Sequence, residues 1–225
     1  MKKNSLTIAI IVFLIAIIFV PGCNKANSRK IPKDFDYGTW TSTTYRNNFL
    51  GFSITVPEGW HVTGSDGMKT AIQDGQNLLD DAINKSEVEK MVKMADITTA
   101  NLFLVSRYSD EQAMELEAFN PNIGLLAENL GAAGKRIDLA KYVSLYRQNV
   151  TKAIPGIVIK SETKKAIGGQ EFTSVQVQFT TQGILISQEH LMCLKNGFAV
   201  TFVLTTLDES EKPLLDDIMT TLKWD

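Results

Sequence analysis

The sequence predicts an α+β domain built on an antiparallel sheet, and three observations predict it. Between residues 158 and 206, four apolar-rich runs are separated by Gly168-Gly169, Gln182-Gly183 and Asn196-Gly197, the turn chemistry of consecutive hairpins. Segments 138–153 and 210–222 instead repeat apolar residues near a period of 3.6. Strands grouped together, with helices before and after them, define the α+β class rather than a regular strand–helix alternation.

The first strand is Phe52-Ser53-Ile54-Thr55-Val56, strictly alternating and rich in β-branched residues. Pro57 and Gly59 place a type I turn over Val56 to Gly59. A helical stretch from about Thr70 to Met94 carries Leu78, Leu79, Ala82 and Ile83, then Val88, Met91, Val92 and Ala95; Gly75 and Asn84-Lys85-Ser86 are where it would divide. Leu102 to Val105 reads as a strand too apolar for an exposed edge. Phe119 to Leu130 is ambiguous, with a turn at Asn120-Pro121-Asn122. Leu139, Val143, Tyr146, Val150 and Ala153 form one stripe of a helix from about Asp138, stopped by Pro155-Gly156.

Asn196-Gly197 favours a type I′ turn, which fixes the register of the strands it joins. Lys195 then pairs with Phe198, Cys193 with Val200 and Leu191 with Phe202. Leu191, Cys193, Phe198, Val200, Phe202 and Leu204 share one face. The last helix starts near Ser210, with Pro213 in its first turn and Leu214, Leu215, Ile218, Met219 and Leu222 on its apolar side. The result is a four-stranded meander plus at least one earlier strand, its apolar face covered by helices.

The N-terminus supplies an address. Lys2 and Lys3, the apolar run Leu6 to Val20 and a small residue before Cys23 are the parts of a secretory signal peptide. The run stops at Pro21-Gly22, short of the roughly 20 residues that a membrane span needs. Val20-Pro21-Gly22-Cys23 resembles the lipobox of bacterial lipoproteins. That resemblance implies lipid on the Cys23 thiol, removal of residues 1–22, and anchoring at the extracytoplasmic face of the cell membrane. The chain then divides into a signal (1–22), a lipidated cysteine with a flexible basic linker (23–36) and one α+β domain (37–225).

Of 23 basic and 25 acidic residues, Lys2 and Lys3 leave with the signal, so the mature chain is acidic. Lys25, Arg29, Lys30 and Lys33 gather beside the lipid site, either against anionic headgroups or as a solvated linker. The remaining body has no basic cluster, which excludes nucleic acid as a partner. With Cys23 lipidated, Cys193 is left without a disulfide partner.

Tyr45, Asn47, Gly51-Phe52, Pro57 and Gly59-Trp60 resemble the opening of bacterial PsbP-like (DcrB-like) lipoproteins. Phe119-Asn120-Pro121-Asn122-Ile123, Ile167-Gly168-Gly169-Gln170-Glu171-Phe172 and the closing Thr221-Leu222-Lys223-Trp224 agree with that resemblance, which runs over most of residues 45–224. It implies an antiparallel sheet flanked by helices and no particular reaction.

Candidate chemistry is sparse. His190 and Cys193 are close enough in sequence to suggest a thiol and its base, but three residues apart on a strand they face opposite ways. Cys193 therefore reads as core. His61 and His190 match no zinc spacing, although a two-histidine site completed by carboxylates stays open. Asp80-Asp81 and Asp216-Asp217 are adjacent on helices, where neighbours diverge by about 100°. Gly131, Gly134, Lys135 and Arg136 lack the spacing of a phosphate loop, and no G-x-S-x-G occurs. No residue is assigned to catalysis, a cofactor or a metal.

Tyr37, Trp40 and Tyr45 form either an aromatic binding surface or packing around the first strand. Asp110 to Gly134 is either a docking segment or contains a buried edge strand at Leu125-Leu126-Ala127 that leaves only Asp110–Asn120 exposed. The functional expectation is a non-catalytic binding or accessory module of the cell envelope, held to the membrane by lipid and meeting an envelope protein. The alternative is an envelope hydrolase or metal-dependent enzyme.

Overall fold

The computed structural model describes residues 29–68, 70, 72, 85–181 and 183–225, with the side chains of 85, 133 and 135 excepted. Cys23, Asp80 and Asp81 lie outside the described residues. The body is an antiparallel α+β fold with two sheets. The smaller has order β1-β2-β3-β11, from Thr39–Thr41, Thr44–Asn47, Phe52–Thr55 and Lys223–Trp224. The larger has order β4-β5-β6-β10-β9-β8-β7. Its strands are β4 (His61–Gly64), β5 (Thr99–Ser106), β6 (Asn122–Asn129), β7 (Val158–Ile167), β8 (Gln170–Thr181), β9 (Ile184–Lys195) and β10 (Phe198–Thr206). Among the described residues, 65–68 are helical after β4, and four further helices follow: α1 (Lys85–Thr98), α2 (Asp110–Glu115), α3 (Leu139–Ala153) and α4 (Lys212–Thr220). Among the described residues no helix is long and apolar enough to cross a membrane.

The predicted meander β7-β8-β9-β10 is present, and its turns do what their residues require. Asn196 and Gly197 have φ of 51° and 81°, and Lys195 pairs with Phe198, Cys193 with Val200 and Leu191 with Phe202. Asp138 caps α3 by accepting a hydrogen bond from the Lys141 amide at 2.8 Å. The α3 stripe buries Val143, Tyr146, Val150 and Ala153.

Both faces of the large sheet are covered, whereas the alternation in sequence announces one apolar face. On one side α1 and α3 pack over Val175, Val177, Ile186, Met192 and Ala199. On the other, the small sheet and α4 enclose Phe172, Leu191, Cys193, Val200 and Phe202. Every residue of β10 is buried as a result. Phe52–Thr55 belongs to the small sheet, and the C-terminal Lys223 and Trp224 pair with it as β11.

Four expectations need correction. Leu125–Ala127 does not lie on an edge: β6 sits between β5 and β10, because Ile123, Leu125 and Ala127 face one packed layer and Leu126 the other. Residues 122–129 are therefore scaffold, and the exposed part of the 110–134 segment is at α2, with Met114 and Leu116. The helix through Met94 runs on to Thr98. Leu214 is 41% exposed, off the packed side of α4. Finally, residues 29–36 lie against the body instead of extending from it: Arg29 and Phe35 are buried, and the Ile31 amide donates to Ile97 O at 3.1 Å.

Candidate functional site

The sheet face beneath α4 changes character along its length. Toward the β9–β10 turn it is apolar, and α4 and the small sheet cover it. Toward the other end, beyond Leu204 and Leu215, the same face presents Gln176, Gln178, Ser187, Glu189 and Thr206. Lys160, Glu209 and Lys212 complete a recess of about 90 Å³ there. A bulge between Ile159 and Ser161 in the edge strand β7 brings Lys160 to its rim.

Glu189 is the centre of this recess. The alternation that puts Leu191 and Cys193 in the core directs its carboxylate to the same side, where it is buried. Lys165 from β7 donates to Oε1 at 2.5 Å, Ser174 from β8 to Oε1 at 2.6 Å, and Lys212 from α4 to Oε2 at 2.8 Å. Burial works to raise this carboxyl's pKa, but the hydrogen bonds from Lys165, Lys212 and Ser174 outweigh it and hold the group below its ordinary value. Lys212 also grips Asp216 one turn along α4, at 2.8 Å. Ser161 donates to Gln176 at 3.0 Å, and Gln178 donates to Ser187 at 2.9 Å. The floor is thus a fixed row of hydrogen-bonding groups, with its central charge neutralised by lysines from two elements and hydrogen-bonded from a third. Such a surface is suited to holding polar groups.

Glu189 escaped the sequence reading, although its position was a signal. It is a charge on the face of β9 that otherwise carries Leu191 and Cys193, and an inward charge needs partners.

Cys193 and His190 are not brought together. Cys193 is buried against the small-sheet layer, and burial pushes its thiol up to about 12. His190 lies under α3, 5.2 Å from the Tyr146 ring, and its Nε2 meets Gln188 Oε1 at 3.1 Å. His61 is exposed at the start of the edge strand β4. Among the described residues no three His, Cys, Asp or Glu side chains converge to hold a metal. Asp216 is committed to Lys212, and Asp217 is exposed. Gly131–Lys135 forms a single 3₁₀ turn. Of the three aromatics, Tyr45 is buried and Trp40 packs on Tyr45 and Phe103, while Tyr37 stays 43% exposed.

A second buried charge sits under α3. Arg29 pairs with Glu128, to which Tyr142 also donates at 3.0 Å, and Arg29 Nε reaches Asn129 O at 3.2 Å. Burial raises the Glu128 carboxyl, against the pull of Arg29 and Tyr142.

This arrangement is a PsbP-like fold: an antiparallel sheet flanked by helices. The solution structure of cyanobacterial PsbP (CyanoP) from Synechocystis sp. PCC 6803 is similar, with a TM-score of 0.50 at 13% identity, over 84% of this chain and 96% of that one. More distant is LpqN of Mycobacterium tuberculosis, a protein involved in cell envelope biogenesis: TM-score 0.40, 15% identity, 76% of this chain and 82% of that one. The T6SS immunity protein TplEi of Pseudomonas aeruginosa has a TM-score of 0.38 at 10% identity, over 78% of this chain and 96% of that one. No family profile and no curated protein sequence matches the chain.

Proposed function

We propose that this chain is a DcrB-like lipoprotein of the bacterial cell envelope, a non-catalytic binding module held on the extracytoplasmic face of the membrane by lipid on Cys23. The observation that carries the reading is Val20-Pro21-Gly22-Cys23 at the end of an apolar signal run, six residues before Arg29, the first described residue, which packs on the body. The recess around Glu189 supports a binding role, because its central carboxylate is already paired with Lys165 and Lys212 and its floor is a row of hydrogen-bonding side chains. The opposite placement of Cys193 and His190 supports the absence of thiol chemistry.

Mass spectrometry of membrane fractions tests the anchor. Mature protein should carry acyl chains on Cys23 and partition into detergent, since two or more chains give stable attachment. Cys23→Ala should leave an unprocessed precursor. Normal cleavage of the alanine form, with release from the membrane, would contradict the lipoprotein reading. Stoichiometric bound metal, or turnover in a hydrolase screen that is lost on changing His61, would replace the binding role with an enzyme.

A further inference from the structure

We propose that the end of the body from which the chain leaves toward Cys23 is itself a membrane-contact surface, fitted to the headgroup zone of an anionic phospholipid bilayer. The inference rests on the lipoprotein reading and goes beyond it, because a lipid tether alone sets no orientation.

The geometry starts at Arg29. Its buried ion pair with Glu128, the Asn129 hydrogen bond to Lys30 O at 2.8 Å and the Ile31–Ile97 backbone bond fix residues 29–31 to one end of the large sheet. Thr99, Asn129, Lys195 and Phe198 lie at that end, as the pairings Thr99–Glu128, Phe198–Asn129 and Phe198–Lys195 require. From Cys23 to Arg29 the chain spans at most about 20 Å even when fully extended. Strand β9, with 12 residues, is roughly 40 Å long. A tether that short and fixed at one end of the sheet keeps that end near the bilayer and holds the Glu189 recess, about halfway along β9, roughly 20 Å farther out.

The composition of this end fits the contact. Tyr37, Phe49 and Ile97 are exposed by 43%, 38% and 37%. Phe49 and Tyr37 both flank the buried Phe35, with ring centroids 5.3 and 5.2 Å away, and both Phe35 and Phe49 pack against Phe198, Phe49 edge to face. Lys30 and Lys33 are exposed in the same segment, and the exposed acids of this end are Asp34, Asp66 near Tyr37 and Asp96 beside Ile97. An amphipathic tyrosine ring beside apolar side chains, with lysines in the adjoining segment, is what settles at a membrane–water interface. The rings are held rigidly by their neighbours, so little conformational freedom is lost on contact.

The test uses the full mature lipoprotein in vesicles of phosphatidylglycerol and phosphatidylcholine with a headgroup-borne quencher. A fluorophore is placed on Ile97→Cys or on Leu185→Cys, 51% exposed at the far end of β9. Quenching at 97 should exceed that at 185 several-fold, and Tyr37→Ser with Phe49→Ser should bring it down toward the 185 value. Equal quenching at both positions in protein whose Cys23 carries lipid would overturn the contact surface and leave the lipoprotein reading standing. Quenching at 97 that ignores the Tyr37 and Phe49 changes would overturn it as well. An unlipidated Cys23 in membrane-derived protein removes the reading and the inference together.

Discussion

Burial keeps His190 uncharged: desolvation brings its pKa down to about 3, against an opposing pull from Glu189. The unfolded chain takes up a proton at this position below about pH 6.5, and the folded chain does not until far lower pH. Stability therefore falls as pH drops from about 6.5 toward 3, by up to roughly 1.4 kcal/mol per unit from this residue. Denaturant titrations at pH 6.5 and 4.5 measure it. The natural chain should lose about 2 kcal/mol more across that interval than His190→Gln, and an equal loss would mean that the imidazole titrates freely in the fold. That His190 and Cys193 face apart was legible from Asn196-Gly197, because a two-residue turn dictates the pairing beyond it. That His190 is buried was not, since α3 covers it from more than forty positions earlier in the chain. Glu189 shows the same limit: its partners Lys165 and Lys212 come from two elements that only the folded chain brings together.

Elements whose boundaries are written locally were readable: the hairpin turns, the Asp138 cap and the stripe of α3. β6 was not, because Ile123, Leu125, Leu126 and Ala127 are apolar on both faces and a doubly covered strand has no period to read. β11 is two residues long, too short to carry any pattern. The turn at Gly168-Gly169 holds more than its dipeptide reveals. Both residues have positive φ, 59° and 85°, but a Cβ at Gly168 would overlap the Leu222 carbonyl and meet Trp224 Cδ1 at 3.2 Å, whereas nothing stands within 4 Å at Gly169. The tip of the β7–β8 hairpin is thus seated on the C-terminal segment. Gly169→Ala should cost about 1 kcal/mol from backbone strain alone, and Gly168→Ala about 2–3 kcal/mol from strain plus the clash. Urea midpoints of the two variants decide it; equal losses would mean that the hairpin tip is free of the C-terminus.

At the scale of the whole molecule, segments far apart in the chain close the core of the described body. Arg29 enters the layer under α3, and the last residues complete the layer on the opposite face. Leu222 is fully buried, and Trp224 packs on Phe52 and Phe172 with centroids 5.1 and 6.1 Å apart, joining the small sheet to the large one. Thr221 adds a bridge to β3: its hydroxyl donates to Thr55 O at 2.8 Å and accepts from the Thr55 amide at 2.9 Å. Contacts between residues so far apart in sequence are made only when the rest of the body is assembled, so their loss should act on global stability and not merely fray one end. Truncation after Thr221 removes the Leu222 side chain, the Trp224 ring contacts and the two-residue strand β11. The lost burial and the cavity left behind should together cost about 3–5 kcal/mol. Denaturant unfolding of the truncated and full chains, followed by fluorescence and by far-ultraviolet circular dichroism, measures the loss. Coincident transitions at a much lower midpoint are expected. A midpoint within about 1 kcal/mol of the full chain would mean that the small sheet holds against the large one without its C-terminal strand.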